Sequence, residues 1–152
     1  MNYWLMKSEP GEFSIDDLER CPDQTEHWDG VRNYQARNMM RDQMRTGDLA
    51  FFYHSNCDQP GIVGIARINR DAYPDHTAFD PENHHYDRAS DPANPRWYMV
   101  DVQFMRKLKR TITLTELKEL SDLEGLALIR RGNRLSVMPV SEAQWNFILS
   151  LE

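Results

Sequence analysis

The chain opens with a short apolar run rich in aromatics, Asn2 to Lys7, that stops at Glu9-Pro10-Gly11. A buried strand ended by a turn is the element this pattern predicts. Ser14 stands three residues ahead of Asp17 with Ile15 and Leu18 between and behind, which is capping chemistry for a short helix that stops before Pro22. From Tyr34 to Arg45 the period becomes helical: Ala36, Met40 and Met44 recur four apart, and Gly47-Asp48 ends the pattern. Leu49 to His54 and Ile62 to Arg70 are rich in β-branched and aromatic residues and flank a turn-forming stretch, Asn56 to Gly61. They predict a hairpin or two neighbouring strands.

Asp71 to Pro95 has no period and holds four of the chain's eight prolines, so it predicts a long loop. Strand character returns from Trp97 to Met105, with Tyr98, Val100, Val102 and Phe104 on one face. Thr113 caps a helix over Leu114 to Leu120, Leu126 to Ile129 and Leu135 to Val137 read as short strands, and Ser141 caps a closing helix through Trp145, Ile148 and Leu149. Several strands with helices at their periphery predict an α+β fold whose sheet curls toward a barrel.

Composition narrows this picture. A length of 152 residues with 40% hydrophobic positions suits one domain with a single core, residues 1–152. No secretory signal is expected in Met1 to Lys7, and no segment approaches the ~20 apolar residues of a membrane helix. Cys21 and Cys57 stand far apart without a CxxC or CxxH neighbour, so a reduced, cytoplasmic setting is expected; a monomer is expected as well. The net charge of −6 speaks against a protein that holds long nucleic acid mainly through its phosphates. The charge is uneven, however: nine bases face five acids between Arg96 and Arg134, so a local basic surface is compatible with the acidic total.

Candidate chemistry concentrates in Trp28 to Asn38, where two aromatics, two arginines, two asparagines and one glutamine fill eleven residues. Such a stretch offers a stacking face, amides for base edges and a helix N-terminus for an anion. It is equally readable as core aromatics beside a solvated face. Phe51 to Asn56 turns from a hydrophobic strand to polar residues at its end, as does Lys7-Ser8-Glu9, and Ser136 sets one hydroxyl inside an apolar run. Strand ends display binding groups on a rigid scaffold, although half-buried residues with satisfied hydrogen bonds would look the same. Asp75, His76, Asp80, His84, His85 and Asp87 carry donors for a metal-dependent hydrolase, the alternative enzymatic reading, but without helix-borne HExxH spacing. A third reading makes the 71–95 loop a protein-docking element. No GxSxG, P-loop or GxGxxG occurs, and no cofactor is expected.

Taken together, Tyr3 to Pro10, Trp28 to Asn38, Phe52 to Cys57, Pro60 to Gly64, Pro95 to Trp97, Val100 to Val102 and Leu135 to Val140 resemble the EVE domain family over essentially the whole chain. The resemblance implies a PUA-like mixed β pseudobarrel with peripheral helices, related to ASCH and YTH domains, and a pocket that reads a modified base or nucleotide in DNA or RNA without catalysis. Carried onto this sequence, the pocket would be framed by Lys7, Ser8, Trp28, Asn33, Tyr53, His54, Ser55 and Ser136, with Arg32, Arg37 and Arg96 for phosphates. Trp28 and Tyr53 would then be stacking platforms, and Asn33 and Ser55 edge readers. Extruding a base costs a few kcal/mol, of which stacking on an aromatic face returns about 1–3 kcal/mol, so few phosphate contacts are needed.

Overall fold

Strand alternation decides the architecture. In the computed structural model, which describes residues 1–152, six strands form one mixed sheet: β1 (Tyr3–Ser8), β2 (Thr25–Trp28), β3 (Leu49–His54), β4 (Gly61–Pro74), β5 (Tyr98–Thr113) and β6 (Val137–Val140). Their order is β2-β5-β4-β3-β1-β6, with β1 parallel to β3 and every other pair antiparallel. Successive side chains on a strand point to opposite faces. Trp4 and Met6 of β1, Ala50 and Phe52 of β3, and Val100 and Val102 of β5 therefore enter one core, while Leu5, Phe51 and Tyr53 enter a second on the other face.

The first core also holds Trp28 of β2 and Val137 of β6, the two edge strands. A flat sheet could not bring its opposite edges into one cluster, so this one curls on itself while remaining open. The long β4–β5 ribbon allows the curl through four register shifts, since each bulge adds local twist. Helix α2 (Tyr34–Asp42) packs against β4, β5 and β6 and sends Ala36 and Met40 into the first core. Asp48, almost fully buried, ties this region down by accepting from Trp4 Nε1 at 3.0 Å, Asn2 N at 3.0 Å and Arg45 N at 2.9 Å.

Helices α1 (Ile15–Arg20), α3 (Leu114–Lys118) and α4 (Glu142–Leu149) are capped by Ser14, Thr113 and Ser141, each accepting from a backbone N–H in the first turn. Several details depart from the sequence reading, among them β6, which occupies Val137–Val140 and not Leu135 to Val137. Strand β2 is not expected from the sequence, because in Thr-Glu-His-Trp only Trp28 is apolar. Strand β5 runs through the basic stretch 106–110 to Thr113, since its pairing with β4 continues there. Residues Ala127–Ile129 form a 3-10 turn and not a strand, with Ile129 N donating to Leu126 O. The loop begins only after Pro74 and is interrupted by a second such turn, His76–Phe79.

Candidate nucleotide pocket

At the end of β1 the pairing with β3 and β6 delivers two neighbouring side chains, Lys7 and Ser8, to the mouth of the curled sheet. Ser8 Oγ donates to Phe13 O at 2.6 Å, which folds the Glu9–Phe13 turn back and lays Phe13 beside the first core. Facing them, the pairing of Trp28 with Val100 delivers Glu26, His27, Trp28 and Asp29 from the opposite edge. Trp28 meets Phe13 and Phe52 edge-on, with centroids 6.5 and 5.5 Å away. These are the favoured T-shaped contacts between aromatic quadrupoles.

The space between is a cavity of about 350 Å³ lined by Lys7, Ser8, Glu9, Glu12, Phe13, Glu26, His27, Trp28, Asp29, His84 and His85. That volume lies at the small end of ligand sites. His84 and His85 come from the 71–95 loop, and what holds them is specific. Asp29 Oδ2 lies 3.0 Å from His85 Nδ1, and His84 Nε2 is 3.6 Å from Glu12 Oε2. Gly30 sits at φ +80, and a Cβ there would stand 2.4 Å from the His85 ring. Only glycine meets both demands cheaply.

The loop is anchored beneath by Asp75, whose side chain is fully buried. It accepts from Gly30 N at 2.8 Å, Arg32 Nη1 at 3.0 Å, Thr77 N at 2.9 Å and Thr77 Oγ1 at 2.5 Å. Burial pushes the Asp75 carboxyl up, but these donors outweigh it and hold the group below the ordinary carboxylate range. Arg32 reaches on to His85 O at 2.6 Å through Nη2, so the helix entrance and the loop form one piece.

The cavity mixes charges. Glu9, Glu12, Glu26 and Asp29 offer acceptors, and three histidines and Lys7 stand among them. Burial lowers the pKa of the Lys7 ammonium, whose Nζ lies 5.8 Å above the Tyr53 ring and has no carboxylate within ion-pair distance. A half-buried cation without an anionic partner is costly to keep and available to a ligand oxygen.

Of the residues that the family resemblance nominated, Lys7, Ser8 and Trp28 line this cavity and the others do not. Asn33 is the N-cap of α2, its Oδ1 accepting from Ala36 N at 3.0 Å. Tyr53 is buried in the second core behind Lys7, where desolvation pushes its hydroxyl up to about 12. His54 Nε2 accepts from Ile15 N at 3.1 Å at the start of α1, and burial pulls its pKa down toward the neutral form this bond requires. Ser55 continues the parallel pairing by donating its N–H to Ser8 O at 2.9 Å, and Ser136 O accepts from Lys7 N at 2.8 Å.

The nominated arginines are all engaged within the chain. Arg32 is held by Asp75 and His85 O, Arg37 donates to Arg96 O at 2.8 Å, and Arg96 reaches Ala89 O at 3.4 Å. Tyr34 stacks on Trp97 with centroids 4.9 Å apart, and Arg37 lies over Tyr34. No group of three or more His, Cys, Asp or Glu side chains is placed to hold a metal ion. Three of the loop's six candidate metal donors are engaged within the fold: Asp75 as above, Asp87 with Trp97 Nε1 at 2.6 Å, and His85 with Asp29. Sequence reasoning passed over Glu12, Phe13, Glu26 and His27. The one available signal was the Ser8-to-Asp17 stretch, where a turn and a capped helix place Phe13 beside the strand end.

The open, curled mixed sheet with α2 across it is a PUA-like fold. An ASCH protein of Zymomonas mobilis shares it at a TM-score of 0.61 and 11% identity, a likeness of fold alone. The chain belongs to the EVE domain family, whose profile matches residues 2–151. Mouse thymocyte nuclear protein 1 is 52% identical over 99% of this chain and 74% of its own length. A crystal structure from Pseudomonas putida shares 52% identity over 98% of both chains with a TM-score of 0.94. Human thymocyte nuclear protein 1, solved in complex with DNA containing 5-methylcytosine, is 49% identical over 99% of this chain and 97% of that one, with a TM-score of 0.95.

Proposed function

We propose that this protein is a non-catalytic reader that takes a modified base, extruded from nucleic acid, into the cavity between β1 and β2. The observation that carries the reading is the cavity's lining: the aromatic side chains of Trp28 and Phe13, carboxylate acceptors beside them, and the Lys7 ammonium with no ion-pair partner. Carboxylates accept from the exocyclic amine of a cytosine edge, an ammonium meets a carbonyl oxygen, and an aromatic face takes the ring or a methyl. The human relative's complex with 5-methylcytosine DNA supports the same ligand class.

Titration of the protein with 5-methyl-2′-deoxycytidine, other modified nucleosides and matched oligonucleotides tests the reading. Lys7→Ala should weaken binding about tenfold or more, the scale of a lost charged hydrogen bond, with little change in melting temperature. Equal affinity for modified and unmodified ligands, or full affinity in the variant, rejects it.

A further inference from the structure

The arginines nominated for phosphate already donate to acceptors within the chain, which leaves fewer of their N–H groups for the strand that carries the base. Most other arginines are committed too: Arg106 to Glu152, Arg110 to Glu116, Arg41 to Asp42, Arg45 to backbone carbonyls, Arg67 to Gln103 and Arg70 to the Tyr73 ring. The side chains of Arg88, Arg130, Arg131 and Arg134 have no hydrogen-bond or ion-pair partner, and only the last three lie together. All three are exposed, and they fall within five residues of a segment that carries no acid between Glu124 and Glu142.

Their position is fixed by β6. Met6 pairs with Val137, and Lys7 N donates to Ser136 O, so the chain just before Ser136 runs past the end of β1, beside the cavity residues Lys7 and Ser8. Arg134 is two residues upstream. Gly132, at φ +79, turns the loop there. Asn133 Nδ2 is shut from solvent without an acceptor, while its Oδ1 takes only a long bond from Leu135 N at 3.4 Å. The loop therefore holds three cations and one unsatisfied donor in a turn, closed by Asn133 N donating to Arg130 O, that leads directly into the strand beside Lys7.

We infer that Arg130, Arg131 and Arg134 form the contact surface for the phosphodiester backbone of the DNA strand flanking the bound base. This rests on the reading that the cavity takes such a base. The division of labour is physical: phosphate contacts position the strand and carry no sequence information, while the cavity discriminates. It also lets an acidic protein engage a polyanion, because these three arginines have no carboxylate partner and no acid lies between Glu124 and Glu142.

The test compares the wild-type chain with a variant carrying Arg130→Gln, Arg131→Gln and Arg134→Gln, and with one carrying lysine at the same positions. Both should melt like wild type, since these side chains are exposed and make no hydrogen bond or ion pair. The glutamine variant should bind a 5-methylcytosine oligonucleotide about tenfold more weakly or worse, and its salt slope should fall by about 2–3, near 0.9 for each phosphate that is no longer neutralised. Its affinity for the free nucleoside, which has no phosphate, and its preference for modified over unmodified DNA should stay unchanged. The lysine variant should keep the slope. A glutamine variant with the wild-type slope overturns the inference even if the cavity reads the base. A reduced slope in a protein that shows no base preference leaves the backbone surface standing and removes the reader. Failure of the wild type to bind either ligand removes both.

Discussion

Replacing Asp75 with alanine cuts the chain's most concentrated polar anchor. Four donors lose their acceptor: Gly30 N, Arg32 Nη1, Thr77 N and Thr77 Oγ1. Removing one partner from a buried, hydrogen-bonded ion pair costs about 3–5 kcal/mol. The lower part of that range is expected here, because the Arg32 side chain is 24% exposed and keeps its bonds to His85 O, so it can turn its freed nitrogen to water. The two backbone N–H groups cannot move far, and each costs about 1–3 kcal/mol if left dry. At roughly 2–4 °C per kcal/mol for a chain of this size, the melting temperature should fall by about 6–12 °C for a loss near 3 kcal/mol. Thermal and urea unfolding followed by circular dichroism measure it. Limited proteolysis should at the same time open the 80–90 segment, because His84 and His85 lose their support. Asp75→Asn keeps one acceptor and should lie between alanine and wild type. A loss below about 1 kcal/mol, or protease resistance equal to wild type, would refute the idea that Asp75 fastens the cavity's loop wall to the helix entrance.

Gly30→Ala forces a non-glycine residue to φ +80 and its Cβ into the His85 ring. The conformation alone costs about 1–2 kcal/mol, so a fall of at least 2 °C in melting temperature with weakened nucleoside binding is expected, and an unchanged melt with normal binding would show that the loop yields freely. Glu152 supplies a pH prediction: the hydrogen bond from Arg106, chiefly, holds its carboxyl down to about 2 from an ordinary 4.5. A depressed carboxyl stabilises the fold above its unfolded value and loses that contribution as pH falls through the folded one. Glu152→Gln should therefore lower the melting temperature at pH 7, with the gap shrinking below pH 4.5 and closing near pH 2; a pH-independent gap contradicts the assignment.

The parts of the fold visible in the sequence are those written in local chemistry. The caps at Ser14, Thr113 and Ser141, the four-residue recurrence of Ala36, Met40 and Met44, and the alternating strands β1 and β3 each carry their own signal. Strand β2 carries none, since three of its four residues are polar and its stability comes from β5. The cavity is legible to the same extent. Lys7, Ser8 and Trp28 stand at ends of strands, where a rigid frame meets solvent. Asn33 is ambiguous in the sequence because an amide before a helix can cap it or face a ligand, and here it caps. Tyr53 could have been placed by parity: Phe52 shares a core with Trp28, so its neighbour belongs to the far face. His84 and His85 reach the cavity through Gly30 and Asp29, a tertiary contact that no spacing announces.

The pairing of Trp28 with Val100 has a consequence for assembly. Residues 7–13, 26–29 and 84–85 become a cavity only once β2 docks on a strand made much later in the chain, so no fragment ending before β5 can own a partial version of it. Such distant pairings form late and slowly. A ligand would therefore recognise only the finished molecule and raise its unfolding midpoint by mass action. Ligand-induced thermal shift thus doubles as an assay for correct closure of the sheet.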